Sequence, residues 1–391
     1  FAGGVESAAS SGGQITPPVM GVGAFIMAEI LGIPYLQIAK MAALPAVLYY
    51  VGMMMVVYFE AKKRNLGRLS ASDIPRWQTY WREVLLLLVP LIVLVTLIIM
   101  MFTPRFAAFW ALVLNVAIFF ALAVPIGRSL SAKTVASNFK NSGSEIVAGM
   151  VEGGGTVATL GVLVAGAQIM VGTLGITGLP LKLSQLVLSF GIAHLLPLLI
   201  AAMAIACFLG GPLPTVPSYL ITAAVVVPLF APFGLPPVIL HLFIFYYACF
   251  SGLTPPVFGP VYSSAVFAEA GLWETAWESL KCAFIGFLVP YVFVYNPEVL
   301  GMEGLGRAFE VLVTSSAGIL LAASAIVGYW NRPLNIFQRL VLGVGGCLIF
   351  VPETETRVAG AALGVVMALI LWLRSKRVPA VQKAEVPPQQ G

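Results

Sequence analysis

The sequence predicts an all-α polytopic membrane protein: an inverted repeat with two broken helices and a re-entrant hairpin, followed by extra C-terminal spans. Composition gives the class, since the 391 residues are 60% hydrophobic and only 9% charged, where a soluble domain carries about 25% charged residues. A charged side chain at mid-membrane costs about 2.5–3.5 kcal/mol on insertion scales, so this depletion is what a lipid solvent demands. The broken helices follow from Ser11-Gly12-Gly13-Gln14-Ile15-Thr16-Pro17-Pro18-Val19-Met20-Gly21 and its echo, Ser251-Gly252-Leu253-Thr254-Pro255-Pro256-Val257-Phe258-Gly259. Both lie inside apolar runs. Proline removes a backbone donor and glycine loosens the helix. Backbone groups freed at membrane depth are tolerated only where protein or a wet cavity surrounds them.

In chain order, residues 1–31 form the first broken helix, and a span over 35–59 follows with Pro45 as a kink. Lys62, Lys63, Arg64, Arg68, Arg76 and Arg82 make the densest basic loop, which the positive-inside rule places in the cytoplasm. Two spans, 84–102 and 106–126, turn at Thr103-Pro104 and bring Arg128, Lys133 and Lys140 back to the same side. Residues 128–150 are amphipathic and rich in Ser and Asn, which predicts an arm at the interface. A Gly-rich span over 151–176 comes next. Two apolar arms, 190–209 and 216–230, then flank Gly210-Gly211-Pro212-Leu213-Pro214-Thr215. This cluster reads either as a hairpin tip or as a loop between two full spans, and the shortness of the arms favours the hairpin. The second broken helix occupies 236–270 and a span 275–296, and spans over 308–328, 334–351 and 358–373 complete the membrane part.

The domain organisation is therefore the second half of the first inverted repeat over 1–60, a basic loop with two connecting spans over 61–127, and a second repeat over 128–300. The C-terminal spans fill 301–378, and the polar tail 379–391 has no core to join and is expected to be disordered. The chain opens at Phe1, without methionine and within an apolar, small-residue pattern, which predicts that its beginning is missing.

Thr16-Pro17-Pro18-Val19 with Gly21 aligns with Thr254-Pro255-Pro256-Val257 with Gly259, and Ala28-Glu29 aligns further on with Ala268-Glu269. Four spans and two hairpin arms separate the two units. That even number makes them antiparallel, as in many secondary transporters. An unwound segment offers carbonyls and hydroxyls, hard ligands for a small cation such as sodium. Restarted helices offer free N–H groups and a positive dipole to an anion. The candidate ion- and substrate-binding residues are Ser11, Gly12, Gly13, Thr16, Pro17, Pro18, Ser251, Gly252, Thr254, Pro255 and Pro256, with Gly210, Gly211, Pro214 and Thr215 at the hairpin tip. A proline kink serving packing alone would explain either motif singly; the pair with a hairpin favours a site.

Glu6 is the candidate proton or ion carboxylate, while Glu29 and Glu269 fit the membrane interface. His194 and His241 fit hydrogen-bonded core histidines, and the four cysteines fit buried small hydrophobes with no metal-ligand spacing. The formal charge of +5 sits in short loops, so it carries no argument for nucleic acid. Without a Walker, HExxH or G-x-S-x-G motif, an enzyme is disfavoured.

Ala8-Ala9-Ser10-Ser11-Gly12-Gly13-Gln14-Ile15-Thr16-Pro17-Pro18-Val19-Met20-Gly21 resembles the large membrane subunit of tripartite ATP-independent periplasmic (TRAP) transporters, in the fused-permease branch that works with TAXI-type binding proteins. Gly210-Gly211-Pro212-Leu213-Pro214-Thr215 is similar to the family's second hairpin tip, with Pro212 inserted beside it. Gly252-Leu253-Thr254-Pro255-Pro256 and Val294-Tyr295-Asn296-Pro297 are similar to its second broken helix and the end of the next span. The resemblance implies an ion-transporter-like fold and a bacterial inner-membrane symporter that imports small organic acids on a sodium or proton gradient, with no ATP and no cofactor. It implies a periplasmic TAXI-type binding protein and a small membrane subunit, fused upstream of Phe1 along with the family's first hairpin. Other expectations are a stand-alone ion/organic-anion exchanger and a non-transporting membrane subunit.

Overall fold

A computed structural model of the chain describes residues 1–67, 80–122, 132–178, 182, 185, 194–211, 213–255, 258–302 and 304–376. Arg68, Arg76, Arg128, Pro212, Pro256, Val257 and the tail 379–391 lie outside the described residues. Among those described the regular structure is helical, and a single isolated bridge, Tyr329 to Pro333, stands outside it. Among the described residues six helices are long and apolar enough to cross a membrane, with shorter apolar helices between them. The chain is an all-α polytopic membrane protein.

α1 (Ala2–Gly13) stops at the glycine pair and α2 (Val22–Leu31) restarts after Gly21. α3 (Tyr35–Lys63) carries Pro45 inside it and runs on through Lys62 and Lys63. α4 (Trp81–Ile99) and α5 (Pro104–Leu122) pack together across a short turn. Pro104 opens α5, a position where its missing N–H is not needed. The arm and span expected over 128–176 are instead a single helix, α6 (Ala132–Thr177), of 46 residues. The stretch holds no proline, and glycines weaken a helix by about 1 kcal/mol each without ending it, so no boundary forms near residue 150.

α7 (Leu195–Gly210) and α8 (Thr215–Val226) pack on each other as a hairpin, and α8 continues into a 3-10 turn at Val227–Phe233. α9 (Pro237–Phe250) ends in a 3-10 turn at Ser251–Leu253; after the break, α10 (Gly259–Phe267) and α11 (Leu272–Tyr295) follow. α12 (Leu305–Val327), α13 (Ile336–Ile349) and α14 (Thr354–Lys376) close the chain. α13 begins on a capping box, Asn335 and Gln338 each satisfying the other's backbone N–H. α12 packs along α3. Asn296, buried after α11, donates to Phe350 O at 2.7 Å and accepts from Arg357, joining the end of α11 to the α13–α14 turn.

The two broken helices are antiparallel. α1 lies on α10 and α2 on α9, and Gly3 at the start of α1 abuts Ser264 and Ala268 at the end of α10. The spans after each break cross with reciprocal glycines: Ile285 of α11 fills the space at Gly52 of α3, and Tyr49 of α3 that at Gly286 of α11. Small residues let helices approach closely where lipid supplies no hydrophobic drive. At one end of this pair, Arg64 bonds Glu60 at 2.8 Å and Glu278 at 2.6 Å, Lys281 bonds Glu278 at 2.8 Å, and Lys63 donates to Val327 O at 2.7 Å. The network pins α3, α11 and α12 together. Arg64 is held protonated chiefly by its hydrogen bond to Glu60.

Candidate ion and substrate site

The first break tightens before it opens. Gln14, Ile15 and Thr16 donate N–H to the carbonyls of Ser11, Gly12 and Gly13 at 3.2, 3.2 and 3.3 Å, a 3-10 ending to α1. Thr16 Oγ1 donates to Gly12 O at 2.6 Å, and Thr254 Oγ1 repeats this in the second break by donating to Ser251 O at 2.7 Å. Each threonine has used its proton locally and keeps its lone pairs for another partner. Beyond the prolines, Met20 and Phe258 occupy equivalent motif positions and share a left-handed backbone, each with φ of 52°. At that position the two breaks are thus alike in backbone as well as sequence. Tyr35 holds the first one open, its hydroxyl reaching Pro18 O at 2.7 Å and Val19 O at 2.9 Å.

The hairpin tip meets both breaks. Thr215 Oγ1 donates to Gln14 Oε1 at 2.7 Å, and Gly210 presses its bare Cα against Ser218 and Ser251. On the far side Tyr49 backs the first break, its ring against Gly12 and its hydroxyl donating to Ala8 O at 2.7 Å. Tyr49 also packs on Phe250, just ahead of the second break, with centroids 5.1 Å apart. The hydroxyls of Ser11 and Ser218 are buried and have no hydrogen-bond partner among the described residues. An unsatisfied buried hydroxyl costs about 1–3 kcal/mol and marks a place where another ligand fits.

Of the expected site residues, Ser11, Gly12, Thr16, Gly210, Gly211, Thr215, Ser251, Gly252 and Thr254 lie in or against the breaks and are at least half-buried. Pro17 and Pro18 are half-buried within the first break, while Gly13, Pro214 and Pro255 are exposed. Glu6 stands apart, exposed on α1 and accepting from Ser10 at 3.0 Å. Glu29 and Glu269 are exposed near the ends of α2 and α10. His241 is buried and bonded to the Tyr219 hydroxyl at 2.7 Å. His194 is instead exposed at the start of α7, and Cys347 is exposed rather than buried. Each sits where a helix edge meets the outside, which local sequence does not encode. Sequence reasoning passed over Gln14, Ser218 and Tyr49. Gln14 stands inside the motif and Ser218 one turn past the tip, so both were open to inspection; Tyr49 lies in an ordinary span and carries no local signal.

Antiparallel broken helices with a hairpin bridging their breaks are an arrangement on which many membrane transporters build their binding sites. A family model for the DctM component of tripartite ATP-independent periplasmic transporters matches residues 1–303, and the chain belongs to that family. It is therefore a large membrane component of such a transporter. Members of the family work with a periplasmic binding protein and a small membrane subunit. No curated protein matches the chain.

Proposed function

We propose that this chain is the permease of a secondary symporter of the bacterial inner membrane, importing small organic acids on a sodium or proton gradient. A TAXI-type periplasmic binding protein delivers the acid, and a small membrane subunit completes the unit. The observation that supports this most is the contact of one hairpin tip with both breaks, at Thr215–Gln14 and at Gly210–Ser251. In this reading the coupling cation is held by hydroxyl and carbonyl oxygens of Ser11, Gly12, Gly13, Thr16, Ser251, Gly252 and Thr254. The unpartnered Ser11 and Ser218 hydroxyls fit such a role, and among the described residues no three His, Cys, Asp or Glu side chains converge on a metal. Gly210, Gly211, Pro214 and Thr215 close over the cation. The prolines at 17, 18, 255 and 256 keep the breaks from rewinding. The N-terminal ends of α2 and α10 face the carboxylate of the acid. Glu6, exposed, is outside the cation set. The end bearing Lys62, Lys63, Arg332 and Arg339 faces the cytoplasm.

The test is uptake into proteoliposomes holding the chain with its small subunit, using the acid that copurifies with the binding protein. Uptake should need both the binding protein and an inward sodium or proton gradient. Uptake that needs neither sinks the reading, and uptake that needs the ion alone makes the chain a stand-alone exchanger.

A further inference from the structure

A groove of about 380 Å³ lies between α11, α12 and α13, at the border between the family-matched region and the C-terminal helices beyond it. Its wall includes Phe284 and Leu288 of α11, Ala322 and Ile326 of α12, and Leu340 of α13, and its one charged residue among those described is Arg339. Arg339 stands in the first turns of α13, and Cys347 lies eight residues on, about 12 Å along the helix. The groove is thus apolar for two turns and cationic at one end. Its volume falls in the roughly 300–1,000 Å³ range of small-molecule sites.

Arg339 is fixed in place. Its Nε donates to Ala325 O at 2.7 Å and one terminal nitrogen to Ile326 O at 3.0 Å. A guanidinium has five donors, so the remainder stay available. Arg332, on the turn into α13, has its Nε–H buried with no acceptor among the described residues. Lys63 caps α12 at Val327 O, Lys62 lies over the Tyr58 ring, and Trp330 packs on Phe59. Of the acids at this end, Glu60 and Glu278 are engaged by Arg64 and Lys281, while Glu274 stands exposed in the first turn of α11. Arg339 thus puts a cationic end on an apolar slot, with Arg332 in the turn that leads into α13. Basic pockets between membrane helices are the setting in which anionic lipid head groups are held.

We propose that this groove binds one anionic phospholipid from the leaflet at the basic end, its phosphate on Arg339 and Arg332 and one acyl chain along α13 toward Cys347. The C-terminal helices thereby acquire a role of their own, as one wall of a lipid site whose other wall, α11, belongs to the transport repeat. The inference does not depend on ion coupling.

The full chain, exchanged in detergent into micelles with equal phosphatidylglycerol and phosphatidylcholine, is read by native mass spectrometry. One phosphatidylglycerol should stay bound per chain in preference to phosphatidylcholine. The double variant Arg339→Gln, Arg332→Gln should lower that occupancy about tenfold, as the loss of charge-assisted hydrogen bonds implies. Because Arg339 also caps α12, Gly343→Leu gives an independent arm: position 343 lines the groove, and a Cβ there has only Ala325 nearby, at 3.6 Å. A leucine at 343 should expel the lipid while leaving the thermal midpoint in place. Equal retention of both lipids, or unchanged phosphatidylglycerol binding in the folded Gly343→Leu chain, overturns the proposal.

Discussion

At Gly210 a single hydrogen separates the hairpin tip from the second broken helix. A methyl group added there would come within 2.6 Å of Ser251 Oγ and closer still to Ser218. Overpacking of this kind costs about 1–3 kcal/mol, and here it acts on the contact proposed to enclose the cation. Gly210→Ala should therefore abolish uptake in proteoliposomes while the protein still inserts and elutes as a monodisperse species. Thr215→Val removes one hydrogen bond to Gln14, worth about 0.5–1.5 kcal/mol. It should raise the ion concentration for half-maximal uptake about 2- to 10-fold, with Thr215→Ser close to wild type; an unchanged ion dependence would separate the tip from coupling. The residues of the breaks were legible because glycine and proline act through their own backbones. The partners of those residues were not. Tyr49 reaches Gly12 and Ala8 only because α3 folds back along α1, and nothing around position 49 announces it.

Among the elements, the ends of α3 and α11 carry the sharpest energetic asymmetry. Glu60 is 2% exposed, whereas the Arg64 side chain that bonds it is 39% exposed. Removing Arg64 strands a buried carboxylate; neutralising Glu60 leaves a guanidinium that can turn to water. Arg64→Met should cost about 3 kcal/mol, at the low end of the range for a broken buried pair, because Lys281 and Lys63 remain at 3.7 and 3.9 Å from Glu60. Glu60→Gln should cost about 1 kcal/mol or less, in keeping with a half-exposed partner. Thermal melts in one detergent would rank the two, and the reverse order would refute the assignment. Sequence could not identify Glu60 as buried, since its neighbours in space come from two helices more than two hundred positions apart. The expected boundary near residue 150 failed for a related reason: a change from polar to apolar side chains alters what surrounds a helix without ending it.

For the whole molecule, the inverted arrangement was visible in a count of traverses, and contacts supply what counting cannot, namely which helix faces which. Ser7 of α1 donates to Ser279 of α11 at 2.8 Å, so the pair Ser7→Cys, Ser279→Cys in a cysteine-free background should form a disulfide under mild oxidant, given the short reach such a bond allows. Failure to cross-link, with both thiols reactive, would contradict the packing of the repeats. Sidedness is equally open to measurement. Asn331→Cys should label only in inside-out vesicles and Glu353→Cys, beyond the opposite end of α13, only in right-side-out ones.

One helix also has a mechanical consequence. At 46 residues, α6 measures about 69 Å, more than twice the roughly 30 Å depth of the hydrocarbon. A rod of that length cannot be housed in the bilayer at any ordinary tilt, so much of its polar half, around Lys140 and Glu145, must ride outside. The same rod packs on α8, so the helix that reaches out of the bilayer is also one that flanks the hairpin.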